Sequence, residues 1–314
     1  MDYDYNTMLS LMAVVASIIG IGMYLAKHIA FEGDVRKFLG TLIVNVALPC
    51  IVLYSIFELP VDNALLHQIG YVFVLSIGLN GIGMLLGWSA GKLTGADAKR
   101  SRELAILSGL GNTGFLGIPL CASLFGPKGA LMAAVFDAGV GLAIWSVAVV
   151  LLQENRTSMG TMVKSMFNLP LLAIVVGMVL MAVNVRPPAV VHHLTGMLSA
   201  LTGPLAMLYI GMLIRNIARN RGGVKVAELT IPLAIKLLVF PAMSILVLSV
   251  LELDRDVAQA VLIQSAMPTL TLSIILFARY RANEKLATWT AVTSTVLSLL
   301  SIPFVMMLGN RFLF

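Results

Sequence analysis

Charge is what this chain has least of. Asp, Glu, Lys and Arg supply 11% of its 314 residues and hydrophobic types 59%, against the quarter or so of charged residues usual in a soluble domain. The two cysteines, Cys50 and Cys121, exclude a disulfide-built fold. Each follows a proline closely (Pro49, Pro119) inside an apolar run, where a thiol fills space. The four histidines, His28, His67, His192 and His193, lie in connections or at the ends of apolar runs, with no spacing suited to a metal. His192 and His193 read as outer-loop residues. No Ser/His/Asp or Cys/His arrangement is present, and one carboxylate at membrane depth cannot form the pair an intramembrane hydrolase needs. The reading is of no enzyme, no metal and no cofactor.

What the chain has is apolar length. Crossing a hydrocarbon core of ~30 Å takes ~20 residues of helix. Ten runs meet that length, at about 7–26, 38–57, 69–91, 103–125, 129–152, 163–185, 194–214, 229–251, 257–278 and 286–309. The first follows Asp2 and Asp4 rather than a basic flank and has no small-residue cleavage site after it, so it reads as a retained span. Trp88, Trp145 and Trp289 fall near span ends, as headgroup anchors do.

The net charge of +6 does not signal nucleic acid, because the cations are divided by loop. Sixteen of the 21 basic residues, among them Lys27, Arg36, Lys37, Arg100, Arg215, Arg219 and Lys285, fall in alternate connections. Lys128, Arg186, Arg255 and Arg311 fall in the others, and Lys236 lies inside a span. By the positive-inside rule the crowded side is cytoplasmic, which puts both termini outside.

The polar segment 153–162 divides the chain into halves, 1–152 and 163–314, of five spans each. An odd number per half inverts the second half relative to the first. Shifted by 155 residues, Gly22, Leu39, Pro49, Leu53 and Tyr54 fall on Gly177, Leu194, Pro204, Leu208 and Tyr209. The fold class expected is an all-α integral membrane protein of ten helices in two inverted repeats.

Within these halves two spans are interrupted. Span 4 is broken by Gly111-Asn112-Thr113-Gly114, and span 9, at 157 residues from Gly111 to Pro268, by Ser265-Ala266-Met267-Pro268-Thr269-Leu270-Thr271. Glycine permits backbone geometry that a side chain opposes, and proline withdraws a donor. Broken helix at membrane depth is tolerated where it is buried or lines a polar path. Each break starts a half-helix whose N–H groups and dipole favour an anion. Helices 4 and 9 are therefore expected to cross at a site containing Gly111, Asn112, Thr113, Gly114, Pro268 and Thr269, with exposed amide hydrogens.

The segments GNTGFLGIPL (111–120), FLGTLIVNVALPCIVLYSIF (38–57), SAMP (265–268) and IKLLVFP (235–241) resemble the auxin efflux carrier family. This family includes bacterial malate and malonate permeases and plant carriers and belongs to the bile-acid and auxin transporter superfamily. The resemblance spans essentially all ten runs. It implies a scaffold of spans 1, 2, 6 and 7, a transport domain of spans 3, 4, 5, 8, 9 and 10, elevator-like motion, and dimers paired through the scaffold. The plant carriers have proline where Gly111 stands and charged residues on span 3, where this chain offers Asn80 as the candidate. The short central connection is similar to that of bacterial members, implying a bacterial inner or plasma membrane.

Other polar residues carry paired readings. Asp137 in span 5 is either a ligand for a coupling proton or sodium ion or a structural carboxylate near the outer rim. Lys236 in span 8 attracts an anionic substrate, pairs with Asp137, or snorkels to the headgroups. Thr290, Ser294, Ser298 and Ser301 share one face of span 10. That stripe either packs helices closely or lines the path, with Thr290, Ser294 and Thr271 as coupling-ion candidates. Asn45 before Pro49 either contacts substrate or marks a kink, and Thr202 before Pro204 has the same two readings. The function expected is secondary transport of a small organic anion such as malate, malonate or an indole acid. A membrane sensor or channel on the same fold is the alternative.

Overall fold

The computed structural model describes residues 5–59, 62–153, 169–183, 185, 187–219, 224–251 and 253–313, and they are built into helices without a strand. The helices are α1 (Tyr5–Leu25), α2 (Gly33–Glu58), α3 (Asn63–Leu93), α4 (Ala98–Gly109), α5 (Thr113–Leu152), α6 (Leu169–Ala182), α7 (Ala189–Ala200), α8 (Thr202–Arg219), α9 (Val226–Ser249), α10 (Arg255–Ser265), α11 (Leu272–Arg279) and α12 (Glu284–Leu313). Six described stretches are long and apolar enough to cross a bilayer, namely α2, α3, α5, α9, α12 and the α7–α8 stretch Ala189–Ile217. Shorter apolar helices cover Leu9–Leu25 and Leu169–Leu180. Most of the expected central connection and the start of span 6 lie outside the described residues.

Long helix α5 contains a reversal. Gly126 stands at φ 63, ψ −152, a conformation that favours glycine, and Pro127 restarts the helix with its fixed φ. Four other places widen by a turn, at Ile43–Ala47, Thr113–Gly117, Ile144–Ala148 and Ile235–Val239. Three of them end two residues before a proline, Pro49, Pro119 and Pro241. Such a ring removes an N–H and crowds the carbonyl four residues back, so the helix loosens there.

The chain forms two compact units. The first comprises residues 1–71, 114–135 and 167–221. In it α1 lies against α8 with backbone on backbone: Gly22 faces the Leu208 carbonyl and Gly211 faces that of Ile19, leaving no room for a Cβ. Helix α2 packs on α6 and α7, with Ile56 against Gly177 and Tyr54 against Gly196. The Thr202 hydroxyl donates to the Ala47 carbonyl at 3.0 Å, at the end of the wide turn in α2. His192 and His193 are in α7 rather than in a loop. His192 Nε2 lies 2.9 Å from Glu58 Oε1, because the helix begins at Ala189, before the expected span.

The second unit comprises residues 72–113, 136–166 and 222–314. Its α3 carries Gly83, Gly87 and Gly91, one per turn. A Cβ on these would stand 2.9 Å from Gly109 Cα, 2.5 Å from the Leu104 carbonyl oxygen and 2.9 Å from Ser101 Cα. This small-residue ridge brings α4 into backbone contact with α3, the usual way helices gain dispersion energy where lipid offers no hydrophobic drive. At one end of α4, Asp97 caps the Arg100 amide at 2.7 Å. Buried Glu103 takes Arg100 at 3.4 Å and the Asn283 amide at 2.8 Å, while Arg100 reaches Glu228 at 2.9 Å. These charge-assisted bonds tie α4, α9 and the start of α12 together.

Candidate functional site: a crossing of two unwound helices

Helix α4 stops at Gly109 and α10 at Ser265, and the unwound residues that follow meet in the second unit. Gly111 pairs antiparallel with Thr269. The Asn112 amide donates to the Pro268 carbonyl at 2.7 Å, and the Leu270 amide to the Leu110 carbonyl at 3.0 Å. Side chains complete the junction. Thr269 donates its hydroxyl to the Leu107 carbonyl and its amide to Ser294 Oγ, both at 3.0 Å. Asn112 Nδ2 donates to Thr271 Oγ1 at 3.1 Å, and Thr113 donates its hydroxyl to Asp137 Oδ1. Asn112, Thr113, Pro268 and Thr269 are buried, and Thr271 and Asp137 half-buried.

The expectation of exposed amide hydrogens is corrected here for three residues. The amides of Asn112, Thr269 and Leu270 are spent within the junction. An unpaired N–H in a dry interior costs a hydrogen bond's worth of free energy, and the partner segment supplies the acceptor at once. Ser294, placed on span 10 by its hydroxyl stripe, is the acceptor that holds Thr269. Ser294→Ala is expected to lower stability by ~1–3 kcal/mol, the cost of a buried donor left unpaired, read as a drop in thermal unfolding temperature in detergent.

Lys236 completes the site. It sits in the wide turn Ile235–Val239, is 0% exposed, and its Nζ has no hydrogen-bond partner among the described residues. The ammonium lies 4.2 Å from the centroid of the Phe240 ring, and a Cβ on Gly111 would stand 3.1 Å from it. The Phe240 ring in turn rests on Gly83, where a Cβ would meet it at 3.1 Å. Gly83, Phe240, Lys236 and Gly111 thus form a stack from α3 to the crossing. Of the three readings of Lys236, snorkelling is excluded by its burial. Pairing with Asp137 is absent among the described ion pairs.

The remaining candidates are placed as follows. Asn80 is buried and bonds back to Ser76, whose hydroxyl donates to the Phe136 carbonyl at 2.6 Å, one residue from Asp137. Thr290 is buried with no hydrogen-bond partner for its hydroxyl among the described residues, while Ser298 bonds back to the Thr295 carbonyl at 2.8 Å. Asn45 and Gly114 belong to the first unit. Asn45 is exposed in the wide turn that Pro49 creates. Sequence reasoning passed over the α3 glycine ridge, although its four-residue repeat was there to be seen, and the buried Glu103.

Known proteins similar to this chain are transporters. An uncharacterized transporter of the archaeon Methanothermobacter thermautotrophicus is 24% identical over 301 residues, covering 95% of this chain and 96% of its own length. An uncharacterized transporter of Methanocaldococcus jannaschii is 23% identical over 298 residues, covering 92% and 94%. The model of the membrane transport protein family matches residues 7–306, and the chain therefore belongs to this family, that of the auxin efflux carriers its motifs resemble.

Proposed function

We propose that this transporter moves a small organic anion by alternating access, driven by an ion gradient, with the helix crossing as its binding site. The observation that carries this reading is the Lys236 side chain, wholly buried beside the crossing and without an anionic partner among the described residues. Burying an uncompensated cation costs several kcal/mol unless something compensates it. A carboxylate guest provides that compensation, and the Asn112 amide group and the Thr271 hydroxyl stand ready to orient it. Phe240 under the ammonium adds an aromatic face. Dicarboxylates such as malate and malonate, or an indole acid, are the ligand class.

The same reading takes the molecule as ten crossings in two inverted repeats with both termini outside a cell membrane. Spans 1, 2, 6 and 7 are the scaffold, pairing in a homodimer, and the helices that carry the crossing travel as one body in an elevator-type motion. Asp137, with Thr271, Thr290 and Ser294, supplies the groups for a coupling proton or sodium ion.

The test is uptake of radiolabelled malate, malonate and indole acetate into proteoliposomes, with and without imposed proton and sodium gradients. Saturable uptake is expected. Asn112→Ala combined with Thr271→Val should reduce it ~10–100-fold, as loss of hydrogen bonds to a charged group does at ~1.5–3 kcal/mol. Uptake unchanged in that variant would discard the crossing as the site. Ligand-dependent thermal stabilisation without flux would favour a sensor.

A further inference from the structure

The first unit carries a polar cavity at the ends of α1 and α8, remote in sequence from every residue of the crossing. It encloses about 300 Å³ and is lined by Ala30, Phe31, Glu32, Arg215, Asn216 and Arg219, with Ala26 behind them. Arg215 and Arg219 are four residues apart on α8, so both guanidinium groups rise from one helix face. Neither forms an ion pair with a described carboxylate.

The floor is fixed. Asn216 Nδ2 donates to the Phe31 carbonyl at 3.0 Å, the Phe31 ring stands edge-on to Tyr209 at 5.2 Å, and Met212 and Leu213 pack beneath. Beside the cavity, Ile29, Val35 and Phe38 expose their apolar side chains at 43%, 36% and 65%. A built polar cup therefore opens next to a greasy surface, on the side that the loop charges assign to the cytoplasm.

We infer that this cavity binds the phosphodiester headgroup of an anionic phospholipid. Two guanidinium forks match phosphate oxygens in geometry as well as charge. Glu32 in the lining leaves the cup at +1, which a phosphodiester of charge −1 neutralises and a phosphate dianion overshoots. An uncharged glycerol headgroup leaves that balance intact. A choline headgroup would bring a third cation beside the two arginines. The exposed Ile29, Val35 and Phe38 provide a seat for the acyl chains, which no soluble phosphate ester could use. Basic pockets between helix ends on the cytoplasmic side are where such lipids are held.

The experiment is native mass spectrometry of the full chain in detergent, titrated with phosphatidylglycerol, phosphatidylcholine or glycerol 3-phosphate. Phosphatidylglycerol should be retained over phosphatidylcholine. The double variant Arg215→Gln, Arg219→Gln should lower its retention about thirtyfold, the effect of removing two surface cations near a lipid phosphate. Lys128→Gln should leave it unchanged. Arg215→Lys with Arg219→Lys, which keeps the charge and loses the forks, should fall between. It guards against a folding failure in the glutamine pair, whose thermal unfolding is followed alongside. Equal retention of the two lipids, or of phosphatidylglycerol by the parent and the glutamine pair, would overturn the inference. Glycerol 3-phosphate binding through the same arginines and displacing lipid would reassign the cup to a soluble phosphate ester.

Discussion

Lys236→Met is expected to yield a protein that resists heat better than its parent and moves far less anion. The two effects have one cause. Lys236 is entirely buried, and among the described residues its Nζ has no hydrogen-bond partner; a lysine at the centre of a membrane helix costs ~2.5–3.5 kcal/mol on insertion scales. Methionine has a similar length and no charge, fits an irregular space, and relieves most of that cost. A gain of ~1–3 kcal/mol in stability is therefore expected, seen as a higher unfolding temperature in detergent. On the proposed function, binding then loses its cation, so uptake should fall ~10–100-fold, the worth of a charge-assisted bond at ~1.5–3 kcal/mol. The pairing of gain with loss matters. A residue kept only for packing would show no gain on removal, and a residue needed for folding would show a loss of both. Undiminished uptake by the methionine variant would remove Lys236 from the site.

Gly211→Val should abolish folded protein, whereas Gly20→Ala should be almost silent. A Cβ at Gly211 would overlap the Ile19 carbonyl oxygen and approach the Met23 amide nitrogen to 2.9 Å. Both neighbours are backbone atoms of α1, which cannot rotate out of the way. The only relief is to part α1 from α8. Gly22 makes the reciprocal approach to Leu208, so both sides of the seam open together. Overpacking a core costs ~1–3 kcal/mol when side chains give way. Where backbone must move along a whole helix pair, the cost should exceed that range and approach the 5–15 kcal/mol total stability of a typical protein. The yield of monodisperse protein on size-exclusion chromatography separates the variants. Gly20, with nothing within 4 Å of its added Cβ, is the matched control. A well-folded Gly211→Val protein would mean that the α1–α8 seam is looser than described.

Much of this was legible from residue order, because membrane burial leaves coarse marks. Apolar runs of span length, Gly111 at one break and Pro268 at the other follow from properties of single residues, whereas Gly114, expected at the break, lies in the first turn of α5. The wide turn at Asn45, whose carbonyl Pro49 leaves without its donor, follows from a single residue too. What residue order does not carry is pairing. Nothing local to Asn112 says that its amide will find the carbonyl of Pro268, or that Ser294 will take the amide of Thr269, since each bond joins segments brought together only by the completed fold. The state of Lys236 was hidden for the same reason. Three environments were compatible with a lysine seven residues into a span, and the choice rested on Phe240, Gly83 and Gly111 closing around it. The helical placement of His192 was missed because the apolar run begins only at about 194, whereas the helix starts at Ala189, directly after Pro188.

The two peptide hydrogen bonds at the crossing have a mechanical meaning. Each unwound segment is both donor and acceptor to the other, so neither slides by a residue without breaking both bonds. With no water at that depth to take up the orphaned groups, the segments behave as a rivet. The three helices of the second unit that end or begin there, α4, α10 and α11, are held at those ends, so a push on any one is delivered to the other two as rotation about that pin.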